Sequence, residues 1–230
     1  MADEPESTPE PTPAPKRRSA QDKKLEADII RAEQLINALQ AEQEVKTDLA
    51  EGGYAPEELT RISLVQKKAL GDYLAHGEAE GAQKAATRAM QSAERSVRTT
   101  YRKLRGLGKA AFMKDPNGRQ QLRLDGREPD GLPNFIGAAR ALAQTGLKPE
   151  YAAKLAKKGV TAAKLAALSS KIDALESADL AQETAKSAAP RARMQRDAAA
   201  QELFDWVAEF KMFARSQFKD RPDVLKRWGI

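Results

Sequence analysis

His76 is the only histidine in this 230-residue chain, and the chain contains no cysteine. A cysteine nucleophile, a disulfide and a thiolate metal site are therefore excluded. One histidine is also too few for a His-rich zinc site, or for a di-iron site with a Glu-x-x-His motif on each of two helices. A Ser-His-Asp triad would have to use His76 beside Gly77, where no nucleophile-elbow motif is present. We interpret His76 as a structural or solvated residue.

The stretch Gly106-Leu107-Gly108-Lys109 is the nearest approach to a phosphate-binding loop. It lacks a preceding strand, the full Walker spacing and a following Ser or Thr, so it is more simply a weak point near the end of a helix. A carboxylate-only active site would need a pair of buried Glu or Asp residues, and the pattern nominates none. We therefore predict no catalytic residue, no metal ligand and no cofactor, and expect that the protein is not an enzyme.

The composition is typical of long helices. Aromatic residues make up only 5% of the chain and charged residues 31%, while Ala, Glu, Lys, Gln, Arg and Leu are abundant. No apolar run approaches the roughly 18 residues that a membrane helix needs. The absence of cysteine fits a reducing compartment. We expect an all-α protein that is cytoplasmic and has no membrane partner.

Helix start and stop signals divide the chain. Five of the twelve prolines fall within the first fifteen residues, so residues 1–18 are expected to form a disordered tail that ends in a basic cluster. Caps, prolines and glycines then predict four helices, the third broken or restarted at Pro149 and the fourth kinked at Pro190. The expected helices run from Ser19 to about Glu51, from Pro56 to before Pro116, from Pro133 to about Lys158, and from Thr161 to about Phe218.

The chain repeats itself with an offset of 106 residues. Without a gap, Gly53 falls on Gly159, and the pair Phe112 and Pro116 falls on Phe218 and Pro222. Apolar positions and helix stops keep this register over about 100 residues, which indicates an internal repeat. We predict a first helical hairpin over 19–124 and a second over 125–230. Two amphipathic hairpins should pack as one up-down-up-down four-helix bundle.

The second and fourth predicted helices are longer than their partners, and their overhangs are apolar. This surface must be covered by the other overhang, by the returning segments 116–124 and 222–230, or by a second chain. The third alternative predicts a homo-oligomer. The aromatic candidates for self-association are Tyr101, Phe112, Phe204, Trp206, Phe210, Phe213, Phe218 and Trp228.

Basic residues concentrate in the same segments. Between Arg98 and Glu128 there are nine Lys or Arg residues against three Asp or Glu. In an up-down bundle the ends of the two long helices would meet at one basic pole. Cations favour helix C-termini and flank apolar stripes in the absence of any function, so a solubilising role is the main alternative to an anion-binding surface. The candidate anion-binding residues are Arg98, Arg102, Arg105, Lys109, Lys211 and Arg215.

The ends of the two halves resemble a broad set of bacterial helical proteins. In that set each half closes on an acidic-Pro-x-x-Leu-x-x-Leu-Gly-apolar segment, and no activity is assigned to it. The second half matches at Asp220, Pro222, Leu225, Trp228, Gly229 and Ile230. The first half departs at Gly118-Arg119, where apolar residues are expected, and at Arg123, which replaces the glycine. The resemblance implies a duplicated helical fold and no particular function.

Two functions remain as hypotheses. The first is a non-enzymatic scaffold or assembly subunit that acts by self-association and protein-protein contacts, with coiled-coil packing. The second is a binding module for an anionic polymer, either DNA or RNA or an acidic protein surface, at the basic pole. The aromatic residues fall on the packing stripe, which argues against their use as stacking platforms for nucleic acid.

Overall fold

The computed structural model describes residues 19–230. The predicted tail, residues 1–18, lies outside the described residues. All regular secondary structure in residues 19–230 is α-helix, which confirms the all-α prediction. The helices are α1 (Ala20–Ala41), α2 (Lys46–Glu51), α3 (Pro56–Ala111), α4 (Pro116–Gln121), α5 (Leu132–Thr145), α6 (Pro149–Ala156), α7 (Ala162–Gln217) and α8 (Pro222–Arg227).

Helices α3 and α7 each contain 56 residues, and they begin and end 106 positions apart. Helices α4 and α8 each contain six residues and keep the same offset. The predicted starts are present: the Ser19 hydroxyl accepts a hydrogen bond from the Asp22 amide at 3.0 Å, and Pro56 opens α3. Helix α7 continues through Pro190. The sequence signals therefore located both long helices correctly.

The predicted first helix is interrupted, which corrects the expectation that it continues to Glu51. Helix α1 ends at Ala41, and Glu42 has an extended backbone. Val45, only 1% exposed, then packs into the core before α2 begins. In the second copy, Pro149 enforces the corresponding break, which was predicted. In the first copy no proline is present, and burial of Val45 provides the physical reason for the interruption.

The described chain forms two compact units, and these do not coincide with the two sequence copies. Unit 1 comprises residues 19–74 and 195–230, and unit 2 comprises residues 75–194. Each unit therefore combines the beginning of one long helix with the end of the other. A four-helix bundle of two hairpins is not confirmed. The C-terminal ends of α3 and α7 belong to different units, and one basic pole stays a prediction.

Unit 1 is built from α1, the first part of α3, the last part of α7, and the short helices α2 and α8. The Tyr73 hydroxyl donates to Glu26 at 3.3 Å, which joins α3 to α1. The Trp206 indole donates to Glu58 at 3.0 Å, which joins α7 to α3. Apolar side chains from all five helices form one hydrophobic core.

Unit 2 is built from the helices that correspond, in the other sequence copy, to those of unit 1. They are α5, α6, the first part of α7, the last part of α3, and α4. Leu122 and Leu124 are completely buried there. Gly118, where the resemblance led us to expect an apolar residue, is covered by the Phe112 ring, which occupies the space that a side chain at 118 would need. The phenylalanine thus replaces the missing side chain, and the segment 116–124 packs into the core.

Candidate functional site

Three of the candidate anion-binding residues in unit 2 bind the chain itself. We call residues 125–131, between α4 and α5, the linker. Arg102 donates to the Glu128 carboxylate at 2.6 Å, and Arg98 donates to the same carboxylate at 2.6 Å. Arg105 donates to the backbone oxygens of Asp125 and Gly126 at 3.1 and 2.7 Å. The hydrogen bond from Arg102 lowers the pKa of Glu128 below its ordinary value, and the bond from Arg98 adds to this effect.

The remaining candidate cations are distributed over both units. Lys109 is exposed near the end of α3 in unit 2. Lys211 and Arg215 lie in unit 1, where Lys211 is half-buried and Arg215 is exposed. The six cations predicted as one surface are therefore divided, and three of them hold the linker in place.

The aromatic candidates for self-association lie mainly inside the chain. Phe204 and Phe213 are half-buried. In unit 1 the rings of Phe210 and Trp228 have centroids 5.6 Å apart, and those of Phe218 and Trp228 are 5.2 Å apart. The apolar overhangs are thus covered within one chain by the returning helices and by the other copy. The buried members are Tyr101, Phe112, Trp206, Phe210, Phe218 and Trp228, each at most 6% exposed.

Unit 1 contains a groove of about 450 Å³ between α1, the end of α7 and α8. Its lining combines four basic residues and one acidic residue with an apolar floor. The basic residues are Arg31, Lys211, Lys226 and Arg227; the acidic residue is Asp28; the apolar residues are Ala32, Leu35, Ala38, Phe204, Val207 and Trp228. The charged lining therefore has a formal surplus of three positive charges. An acidic ligand with apolar contacts fits this combination.

The four basic residues of the groove differ in their existing partners. Arg31 forms an ion pair with Asp28 at 3.1 Å, and Arg227 forms one with Glu44 at 3.0 Å. Within residues 19–230, neither Lys211 nor Lys226 takes part in an ion pair. These two lysines are available to a ligand without breaking an existing contact.

Unit 2 has a cavity of about 480 Å³ at the corresponding place. Four of its lining residues, Gln120, Arg123, Asn134 and Ala138, lie 106 positions from residues that line the groove of unit 1. The other four, Asp125, Arg127, Pro129 and Asp130, belong to the linker. The two concave surfaces are therefore equivalent under the repeat, and linker residues enter only the one in unit 2.

Arg123 and Gly229 occupy equivalent positions in these two surfaces, and both have a positive φ, of 49° and 69° respectively. A side chain in this backbone region costs about 1 kcal/mol, which Gly229 avoids. We expect Gly229→Ala to lower the free energy of unfolding by about 1 kcal/mol. The matched variant Arg123→Ala should change it by less than about 0.5 kcal/mol, since a side chain is already present. Urea denaturation measures both, and equal effects would contradict this explanation.

Sequence reasoning identified Phe204, Lys211 and Trp228 but did not bring them together as one surface. It missed Arg31 and Lys226, which the fold places beside Lys211. The signal that could have found them is the repeat itself. Arg31 corresponds to Gly137 and Lys226 to Gln120, so positive charge is present at these positions in only one copy.

No family model, curated protein or solved structure matches this chain. Within residues 19–230, none of the helices combines the length and apolar composition needed to cross a membrane.

His76 lies in α3, with its Nε2 atom 3.9 Å from the Glu80 carboxylate. Among the surfaces of residues 19–230, the groove of unit 1 combines lysines outside any ion pair with apolar side chains, and it is the candidate functional site.

Proposed function

We propose that the protein is a non-enzymatic helical scaffold that acts by protein-protein contacts, and that the groove of unit 1 binds an acidic segment of a partner protein. The observation that carries this proposal is the basic rim around an apolar floor. Lys211 and Lys226 supply charge that no described acidic residue neutralises, and Leu35 and Phe204 supply apolar surface beside them. Self-association through the eight aromatic residues is not part of the proposal, because six of them are buried within the chain.

Nucleic acid is the alternative anionic partner. Proteins that bind single strands use exposed aromatic rings on which the bases stack. Trp228 is only 5% exposed, so it offers little ring surface for stacking. In unit 2, Arg98, Arg102 and Arg105 already bind the linker. The combination of charge and apolar floor favours a protein ligand over a phosphate backbone.

Titration of the full chain with poly-L-glutamate and with single-stranded DNA tests the proposal, with tryptophan fluorescence as the readout. We expect poly-L-glutamate to bind at about 50 mM salt and more weakly at about 200 mM, because salt screens exposed charges. DNA should bind less tightly than poly-L-glutamate at both concentrations. A stronger and more salt-dependent DNA signal would favour the nucleic-acid alternative, and absence of binding by either polymer would refute the proposal. Light scattering at two protein concentrations, run in parallel, reports self-association.

A further inference from the structure

Part of the face of unit 2 that corresponds to the groove is covered by the linker, and the rest lines the cavity. Phe204, Val207 and Lys211 line the groove, and their counterparts are Arg98, Tyr101 and Arg105. Arg98 and Arg105 donate hydrogen bonds to the linker. Tyr101 is completely buried, whereas Val207 is half-buried in the open groove. Unit 2 therefore shows what kind of segment this face accepts.

The bound linker has three recognisable features. It presents consecutive backbone oxygens, of Asp125 and Gly126, to one arginine. It presents a carboxylate, Glu128, to two others. The residue after Glu128 is Pro129, which lines the adjacent cavity and restricts Glu128 to an extended backbone. The linker is thus an acidic, proline-containing segment that is bound partly through its backbone oxygens.

In unit 1, no segment of residues 19–230 lies on Phe204, Val207 and Lys211 in the way that the linker lies on their counterparts, and these three side chains line the open groove. We infer that this groove binds an acidic segment of a partner protein that has no regular secondary structure and carries a carboxylate next to a proline, in the way that the linker lies on unit 2. This inference rests on the proposed function and specifies the ligand. Lys211, in the position of Arg105, donates to backbone oxygens of the segment. Lys226 and Arg31 pair with its carboxylates.

The differences between the copies define what the groove selects. Phe204 and Ala208 replace Arg98 and Arg102, so the pair of arginines that binds Glu128 has no counterpart in unit 1. The apolar Phe204 ring instead offers a surface for the proline. Unit 1 instead has a basic residue, Lys226 on α8, at the position where unit 2 has Gln120. The ligand of unit 1 therefore shares the acidic character and irregular backbone of the linker but places its carboxylates differently.

The probe for this inference is a synthetic, fluorescein-labelled peptide with the linker sequence from Leu124 to Leu132, LDGREPDGL. Fluorescence anisotropy measures its binding to the full chain. We expect saturable binding that weakens with salt. Replacing the peptide's arginine with glutamate should tighten binding by roughly three- to tenfold, because the groove lining is positive. Replacing its one glutamate with glutamine and its two aspartates with asparagine should weaken binding to a similar degree.

The groove variant is the double substitution Lys211→Glu and Lys226→Glu. It should weaken peptide binding by about tenfold or more, since two attractive contacts become repulsive. The control, Lys67→Glu with Lys219→Glu, makes the same change in net charge at two exposed lysines of unit 1 outside the groove, and should stay within about twofold of the wild type. Circular dichroism establishes that both variants are folded. Equal losses in the two variants would overturn the inference, because they would indicate attraction by net charge alone.

Two further outcomes distinguish failure of the inference from failure of the proposed function. If poly-L-glutamate binds in a manner that depends on Lys211 and Lys226 but neither the linker peptide nor its glutamate variant does, the inference fails and the proposed function stands. If no acidic ligand binds, both fail. Binding of the peptide only to a chain that begins at Ser19 would also overturn the inference, since it would identify residues 1–18 as the occupant in place of a partner protein.

Discussion

Replacing Phe210 with alanine lowers the free energy of unfolding by about 3 to 5 kcal/mol. The Phe210 ring is completely buried in unit 1. It stacks on Trp206 with 5.5 Å between centroids and makes edge contact with Tyr54 at 4.9 Å. Removing the ring leaves a cavity among neighbouring aromatic side chains that cannot collapse into it. Urea denaturation followed by circular dichroism measures the loss.

Met212 provides the matched control for this variant. It lies two residues further along α7 and is 67% exposed, so Met212→Ala should change the free energy of unfolding by no more than about 0.5 kcal/mol. The same two variants discriminate between core and interface roles. If Phe210→Ala changed the molecular mass by light scattering and left the stability intact, the residue would be an assembly contact and our description of the core would be wrong.

Cutting the chain within the linker should leave the two fragments associated. A protease recognition sequence inserted between Asp130 and Gly131 allows the cut without removing the residues that Arg98, Arg102 and Arg105 hold. Each unit contains helices from both sides of this site. The fragments therefore share both cores, and separating them would expose the apolar side chains of each.

Size-exclusion chromatography of the cut protein measures this result, with denaturing electrophoresis to show that cleavage is complete. We expect a single peak that contains both fragments at the elution volume of the uncut chain. A cut placed within α3, between Gly77 and Glu78, is the control, because it breaks a continuous helix and should lower the stability. Two independently eluting fragments after the linker cut would show that each copy packs on itself.

The sequence was sufficient to predict the two long helices but not to predict which helices pack together. Proline, glycine and capping residues predicted both 56-residue helices because these signals act locally. The repeat could not predict which copies pack together. The end of α3 makes equivalent contacts whether it meets the start of its own copy or that of the other copy, so one pattern of apolar residues fits both arrangements. Only the fold shows that the copies are exchanged between the units.

The candidate site was predictable in its components and not in its arrangement. Lys211 was identified by its position in a basic segment, and Trp228 by its place in the closing segment of the second half. The contacts of Arg98, Arg102 and Arg105 with the linker could not be predicted, because the path of the linker cannot be deduced from residue types. The sequence shows how many basic residues a segment contains, and the fold determines which of them pair with acidic groups of the same chain.

The division of the chain also determines the order in which its parts can be completed on the ribosome. Unit 2 is one continuous stretch, residues 75–194, whereas unit 1 needs residues 195–230 to complete a core that includes Ile29 and Ile62. At about 5 to 20 residues per second, the first helices wait on the order of ten seconds for their partners. During that interval the apolar faces of α1 and the start of α3 lack the part of the core that α7 and α8 supply. Unit 2 can therefore complete its core before unit 1, and we expect chaperones to bind the N-terminal helices of the nascent chain during that interval.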